Sequence, residues 1–499
     1  MIGSTAVHFH LIGIAGTAMG SLAGLLREKG HTVTGSDEGV YPPMSTLLDE
    51  LGIRYAHAFS ADNLDPAPDV VVVGNAISRG NPELEAVLDR GLRYTSAAAV
   101  LKEEFLQGKH VLAVAGTHGK TTTSSILAHL LESAGLAPSF LVGGVVENFG
   151  TSFRLEDSEL FVIEADEYDT AYFDKGPKMW HYLPRTAVVT NVEFDHADIY
   201  RDETAYRFAF ERFVNLVPRS GTLVIGWAGD TERALAGRSW APVESFALEG
   251  EGGGDPAVGH PSEARSGSGV DRAAAAHPRW RAMDVEYGPE GTSFLLIHDR
   301  SEIGRFRTPL TGAFNVRNCL AATAAARAAG ASWEGIREGL ATFRSVRRRM
   351  EIRGTVAGVT VVDDFAHHPT AVRETIAAAR QRFTDSRVVA IFEPRSYTAQ
   401  RSEFQDAFRA ALATADRVIL AGLYRPERYD AETGMHPGEL VAMLRAAGIP
   451  ADHVPDVDEI VATAVAEARA GDVLLVMSNG AFGGIHGKLL VGLEAARGP

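Results

Sequence analysis

The sequence predicts an α/β protein of three units, each built on a parallel sheet with helices on its faces. The chain has 499 residues, too many for one hydrophobic core, and about 150 residues per domain gives roughly three. Short runs rich in Val and Ile recur along it, separated by helical patterns, the alternation of strand–helix–strand units. Glycine turns or polar clusters follow many of these runs, at the strand ends where doubly wound sheets hold ligands. The units span residues 1–107, 108–345 and 346–499.

Composition narrows the class. Hydrophobic residues at 45% and charged residues at 22% belong to a globular protein rather than a disordered or fibrous one. A net charge of −16 argues against a nucleic-acid partner, which needs a basic face to release counterions. Anionic ligands must then be met by local Lys, Arg and helix N-termini. The single cysteine, Cys319, allows neither an intramolecular disulfide nor a cysteine-built zinc site and fits a reducing compartment. Without a signal-peptide pattern or a run of about 18 apolar residues, the expectation is a cytoplasmic protein with no membrane partner.

The first unit opens with the strand Val7–Ile12, the glycine turn Gly13–Gly20, the helix Ser21–Lys29, and a strand over His31–Ser36 that ends at Asp37. An acid at the end of the second strand suits a nucleotide. The glycine spacing is not GxGxxG, so a tight packing turn is an equal alternative. Strands follow at Val70–Val73 and near Leu92–Tyr94.

The second unit begins with Val111–Thr123, an apolar run, a glycine-bracketed turn and a helical pattern. Such a turn leaves backbone N–H groups at a helix N-terminus, which suits a polyphosphate. Lys120 adds a point charge and the Thr121 hydroxyl is placed for Mg²⁺. A full P-loop asks for glycine at position 114, where this chain has Val114, so a plain turn is the competing reading. Strands at Leu160–Ile163, Ala187–Thr190 and Leu223–Ile225 continue the sheet, and the first two run into the acidic clusters Glu164–Asp169 and Asn191–Asp198. With Lys120 and Thr121 these carboxylates form a candidate Mg²⁺ and nucleotide site; singly, each reads equally as a solvated loop. Residues 249–278 are rich in Gly, Ala, Ser and Pro and read as a flexible insertion without chemistry. After a strand at Thr292–Ile297, an Ala-rich helix carries Asn315 and Asn318 on one side of its start. Capping is the favoured role there, with a base edge as the alternative.

The third unit opens near Val346–Glu351. Its strands Val359–Val362, Val388–Phe392, Val418–Leu420 and Val473–Met477 run into Asp363–Pro369, Glu393–Ser396, Ala421–Tyr424 and Ser478–Gly484. The vicinal His367 and His368 read as loop or carboxylate orienters, with metal ligation the lesser alternative.

Together, Gly116–Thr122, Glu164–Glu167, Asp195–His196, Asn315–Asn318 and Asp364–His367 resemble the Mur ligases, ATP-dependent amide-forming enzymes of peptidoglycan metabolism, over nearly the whole chain. The resemblance implies a Rossmann-like UDP-sugar domain, a central P-loop ATPase domain, and a Rossmann-like C-terminal domain that closes on the second substrate. ATP and Mg²⁺ are the implied cofactors. Gly116, Thr117, His118, Gly119, Lys120, Thr121 and Thr122 would hold the ATP phosphates, Asn315 and Asn318 the adenine, while Arg349, Asp364 and His367 would reach the nucleotide from the C-terminal side. Thr121, Glu164 and His196 would serve Mg²⁺, with Lys120, Glu164 and His196 as the catalytic set. Gly13, Gly16 and Asp37 would line the UDP-sugar pocket, and Arg395 and Ser396 the peptide site. One residue departs from the family pattern, Phe314 in place of the histidine of Gly-x-His-Asn, and a polar contact to adenine goes with it.

Within the family, Val40–Leu48, Glu393–Ser396 and Met477–His486 point to UDP-N-acetylmuramate and the tripeptide L-alanyl-γ-D-glutamyl-meso-diaminopimelate as substrates. L-Alanine is the alternative amine, but members that use it carry a QPHRYTR-like segment where this chain has Glu393–Ala399. Monomer and homodimer are both open. The rival classes are a nucleotide-dependent oxidoreductase, which would need the missing GxGxxG, and a regulator that binds ATP without turning it over.

Overall fold

The computed structural model describes residues 6–41, 44–195, 199–252, 277–424, 429 and 433–496. The insertion at 249–278 therefore falls mostly outside the described residues, as do His196, Pro42 and Pro43. Among the described residues three large sheets and one two-stranded antiparallel ribbon, Asp169–Ala171 with Asp174–Pro177, carry the chain.

The first sheet is entirely parallel, in the spatial order Arg54–Ala56, Thr32–Ser36, His8–Ile12, Val70–Val73, Tyr94–Ser96. The chain order reverses at His8–Ile12, so a crevice opens beyond its C-terminal end. The following helix spans Thr17–Glu28 with Gly16 at its N-cap, beginning four residues earlier than expected from sequence. Gly20 lies inside it because any Cβ there would meet the Met44 side chain at 2.2 Å.

The central sheet has ten strands and is mixed rather than parallel throughout. Its parallel middle runs Thr222–Gly226, Thr186–Val189, His110–Ala115, Leu160–Glu164. One flank is an antiparallel set, Trp280–Gly288, Gly291–His298 and Ser301–Thr308, and the other ends in the antiparallel pair Ser139–Val146 and Thr151–Arg154. These flanks alternate side chains between core and solvent, whereas the parallel strands are apolar runs buried on both faces. Helix Lys120–Ser133 packs on the sheet and against the Ala-rich helix Ala313–Ala328. The helix Trp333–Thr342 also packs on Lys120–Ser133, closely enough that a Cβ on Gly335 would lie 2.5 Å from the Ala134 backbone.

The third sheet orders Glu351–Val356, Val359–Asp364, Val473–Met477, Val388–Phe392, Arg417–Leu420, Ala451–His453. All its pairs are parallel except the first. The α/β class expected from sequence is present. Among the described residues no helix is long and apolar enough to cross a membrane.

Candidate functional site

The strand His110–Ala115 runs out into Gly116 at φ +133, and Gly119 at φ +82 delivers the chain to the helix Lys120–Ser133. Both positions demand glycine. A Cβ on Gly116 would lie 2.0 Å from the Thr190 hydroxyl, and one on Gly119 would lie 2.5 Å from Asn318 Oδ1. No side chain caps the helix among the described residues, so its N-terminus is a candidate anion site.

Not every amide of the turn is available. The Thr117 N–H donates to the Asn191 carbonyl at 3.0 Å and the His118 N–H to Asn191 Oδ1 at 2.9 Å. The Thr117 hydroxyl is also engaged, donating to the Glu193 carbonyl at 2.8 Å. Two of the amides expected to face phosphate therefore brace the loop instead, leaving Gly119 and the first helical turn, with Lys120, Thr121 and Thr122, as the cradle.

Lys120 is nearly buried and surrounded by carboxylates. Its Nζ donates to the Gly116 carbonyl at 2.8 Å and to Glu167 Oε1 at 2.9 Å, with Asp166 Oδ1 at 3.9 Å. Burial disfavours its charge, but Glu167, Asp166 and Glu164 outweigh burial and hold the ammonium above its ordinary pKa. Glu167 is fully buried, so the pair is an internal one.

Thr121, in the first turn of the helix that follows the strand His110–Ala115, meets Glu164 at the end of the adjacent parallel strand Leu160–Glu164. The Thr121 hydroxyl donates to Glu164 Oε1 at 3.0 Å, and Glu164 Oε2 accepts from the Gly143 N–H at 2.7 Å. Burial pushes the Glu164 carboxyl up, against the pull of Lys120. A hydroxyl and a carboxylate in contact form the hard oxygen donor set that suits Mg²⁺. Arg349 reaches this pair from the C-terminal unit, its Nη2 at 3.5 Å from the Thr121 hydroxyl and its guanidinium 5.0 Å from the Phe365 ring centroid. Burial lowers its pKa, with Asp364 and Glu164 opposing.

Asn315 and Asn318 do not cap their helix, whose N-cap is Gly312. Asn315 Nδ2 donates to the Thr311 carbonyl at 2.8 Å, and Asn318 Oδ1 accepts from the Thr123 hydroxyl at 3.1 Å. Both amides are buried; Asn318 holds the helix of the phosphate loop through Thr123, and Asn315 braces the start of its own helix. Phe314 packs on the core of the C-terminal unit. Asp364 is likewise turned inward: Oδ2 accepts from the Met350 N–H at 2.9 Å and Oδ1 from the Ala366 N–H at 2.8 Å. It shapes the segment that presents Arg349.

A polar cavity lies where the central and C-terminal units meet, lined by Tyr168 and Asp195 on one side and by His367, Ser396, Tyr397, Thr398 and Asn479 on the other. The Thr398 hydroxyl donates to Asp195 Oδ1 at 2.5 Å across the junction. His367, expected at the nucleotide, lines this cavity, with Nδ1 2.9 Å from the Phe365 carbonyl. The Ser396 hydroxyl accepts from the Ala399 N–H at 3.0 Å. Arg395 stacks on Tyr424, 3.8 Å from its ring centroid, with Glu393 Oε1 at 3.7 Å. Its guanidinium is thus held as a flat plate beside the cavity, a role that Tyr424 fixes and that the local sequence does not signal.

In the first unit, Gly13 (φ +86), Gly16 and Asp37 gather at the C-terminal ends of His8–Ile12 and Thr32–Ser36. Asp37 Oδ2 accepts from the Ala15 N–H and Oδ1 from the Gly39 N–H, each at 3.0 Å. The acid expected to meet a sugar shapes the turn.

The sequence matches three family models: "Mur ligase family, catalytic domain" over residues 8–108, "Mur ligase middle domain" over 114–326, and "Mur ligase, glutamate ligase domain" over 348–480. It is 40% identical to UDP-N-acetylmuramate--L-alanyl-gamma-D-glutamyl-meso-2,6-diaminoheptandioate ligase of Escherichia coli, covering 98% of both chains. It is 34% identical to UDP-N-acetylmuramate--L-alanine ligase of a Roseiflexus species, covering 95% of this chain and 96% of the relative. Among solved structures it superposes on a murein peptide ligase from Psychrobacter arcticus with a TM-score of 0.71, 36% identity, and coverage of 98% of this chain and 99% of that one. With three consecutive family models across its length and a relative this similar end to end, the chain belongs to the Mur ligase family.

Proposed function

We propose that the protein is a cytoplasmic, ATP- and Mg²⁺-dependent ligase that joins UDP-N-acetylmuramate to L-alanyl-γ-D-glutamyl-meso-diaminopimelate, with units at 1–107, 108–345 and 346–499. The observation that carries this is the meeting of Lys120, Thr121 and Glu164 at the ends of adjacent strands with Arg349 arriving from another unit. The substrate pair rests on the name of the relative that is 40% identical.

A carboxylate is a poor electrophile, so amide formation in water needs activation. The muramoyl carboxylate oxygen attacks the γ-phosphorus of ATP and ADP leaves, giving an acyl phosphate. The peptide amine then adds to the carbonyl, and the tetrahedral intermediate loses a proton and phosphate to leave the amide. Such phosphoryl transfer depends chiefly on positioning and charge neutralisation. Lys120 exchanges its contact with Glu167 for the phosphate oxygens, and Arg349 closes over them from the C-terminal unit. Thr121 and Glu164 would hold Mg²⁺, which neutralises phosphate charge when bound; His196, assigned with them, lies outside the described residues. Docking of the third unit over the loop excludes water from the acyl phosphate. Steady-state ADP release, over many turnovers, should require both the acid and the tripeptide. No ADP with both present, or an equal rate with either omitted, removes the proposal.

For the peptide, Arg395 offers a planar fork to a carboxylate. Arg395→Ala should raise the tripeptide KM by about 10- to 100-fold with kcat changed far less, the loss of one charged hydrogen-bonded contact of about 1.5–3 kcal/mol. An unchanged KM takes Arg395 out of the peptide site.

A further inference from the structure

The family reading uses Thr121 and Glu164 for a cation. A second cluster, built from different residues, stands on the other side of the loop. His118 projects from the phosphate loop, Glu193 from the loop after the strand Thr186–Val189, and His368 from the N-cap of the C-terminal helix Pro369–Arg382. His118 Nε2 is 3.5 Å and His368 Nδ1 is 3.8 Å from the same oxygen, Glu193 Oε2, and one ligand atom from each residue lies within 4.8 Å of the others. The two imidazole rings lie with centroids 4.7 Å apart, tilted by 41°.

Hydrogen bonding leaves the cluster incomplete. His368 is 6% exposed, yet neither of its ring nitrogens has a hydrogen-bond partner among the described residues, and the same holds for His118 Nε2. His118 Nε2 and His368 Nδ1 have only their long approaches to Glu193 Oε2, and a buried polar atom left poorly paired costs up to about 1–3 kcal/mol, so the cluster calls for an occupant. Protonation does not supply one, because burial, followed by the neighbouring His118, pushes His368 down to about 4, against the pull of Asp195 and Glu193. His368 is therefore a neutral imidazole with a free lone pair near neutral pH, the form that binds metal. Glu193 is its counterpart, its carboxyl held below the usual range despite burial, chiefly by His118 and the Thr370 hydroxyl. It is an anion.

We propose that His118, Glu193 and His368 form a second divalent-cation site that takes a borderline transition-metal ion such as Zn²⁺ or Co²⁺ and pins the C-terminal unit to the phosphate loop. Two imidazoles and one carboxylate select such an ion over Mg²⁺, which prefers oxygen donors. Ligand atoms around a tetrahedral ion with bonds of about 2.0–2.1 Å stand about 3.4 Å apart. The two distances to Glu193 are already near this, and the third edge closes by side-chain rotation. The Thr370 hydroxyl, 2.7 Å from Glu193 Oε2, orients the carboxylate from the same helix that carries His368, the outer-shell bond that metal carboxylates commonly make. Part of Glu193 is exposed, which gives an ion a route in. Because two ligands come from the central unit and one from the C-terminal unit, occupancy favours the docked arrangement.

Co²⁺ serves as the probe, because tetrahedral ligation by nitrogen gives it visible absorption. Metal-free full-length protein is titrated with Co²⁺ in excess Mg²⁺, alongside His368→Ala, His118→Gln and Glu164→Gln, with circular dichroism confirming that each is folded. The expected result is one equivalent of Co²⁺ with a visible band in the parent and in Glu164→Gln. In His368→Ala and His118→Gln the band should vanish and the Co²⁺ dissociation constant should rise at least about tenfold. His118→Gln decides the matter if His368→Ala does not fold. No band in the parent, a band unchanged in the folded histidine variants, or one lost only in Glu164→Gln overturns the proposal. Since ADP formation is not the readout, this can fail while the ligase reading stands.

Discussion

Lys120→Met lowers the rate of acyl-phosphate formation by about 10²–10³-fold, the effect of removing one preorganised charge-stabilising donor, when measured by rapid quench with ATP and UDP-N-acetylmuramate. The structure adds a second consequence. Lys120 is the cation beside Glu167, which is fully buried, and breaking a buried pair by removing one partner costs about 3–5 kcal/mol. Lys120→Met alone should therefore also lose stability to urea. Adding Glu167→Gln removes the stranded charge while keeping an acceptor for neighbouring donors, so it should restore stability and leave activity low. A double variant that regains the parent rate would remove Lys120 from catalysis.

Gly116→Ala is the second large effect. Gly116 sits at φ +133, outside what a side-chain-bearing residue adopts, and its Cβ would collide with the Thr190 hydroxyl at 2.0 Å and the Thr190 backbone nitrogen at 3.0 Å. That hydroxyl donates to the His118 carbonyl at 2.6 Å, so relief of the collision disorders the loop. Strain of about 1–3 kcal/mol and overpacking of similar size add to a loss of about 2–6 kcal/mol, with ATP turnover falling in proportion to the loop's disorder. Gly135→Ala is the matched control. Gly135 has φ +74 with nothing near its Cβ and should cost only the conformational part, about 1–2 kcal/mol. Equal midpoints for the two variants in urea unfolding would contradict this account of the loop.

The architecture was legible because buried parallel strands are continuous apolar runs, and their C-terminal ends could be marked along the chain. Lys120, Thr121 and Glu164 converge because their strands are adjacent in the sheet. The antiparallel strands around Trp280–Thr308 were less legible, since only Thr292–Ile297 stood out as apolar. What the sequence hides is where each polar group spends its hydrogen bonds. Asp37 and Asp364 accept backbone N–H groups and Asn318 accepts from the Thr123 hydroxyl, bonds that reading along the chain does not reveal. Asn191 holds the amides of Thr117 and His118 from more than 70 residues away, and Tyr424 fixes Arg395 from another strand end. The pairing of His118 with Glu193 and His368 joins three distant segments, and nothing local in the sequence marks it.

The central claim is that the tripeptide supplies the attacking amine. The most direct measurement offers L-alanine and L-alanyl-γ-D-glutamyl-meso-diaminopimelate together, at equal concentration, with UDP-N-acetylmuramate and ATP, and follows both products by mass. The account predicts that the UDP-muramoyl tripeptide forms in large excess over the UDP-muramoyl alanine, and that Arg395→Ala erodes the excess. Predominant formation of the alanine product would contradict it.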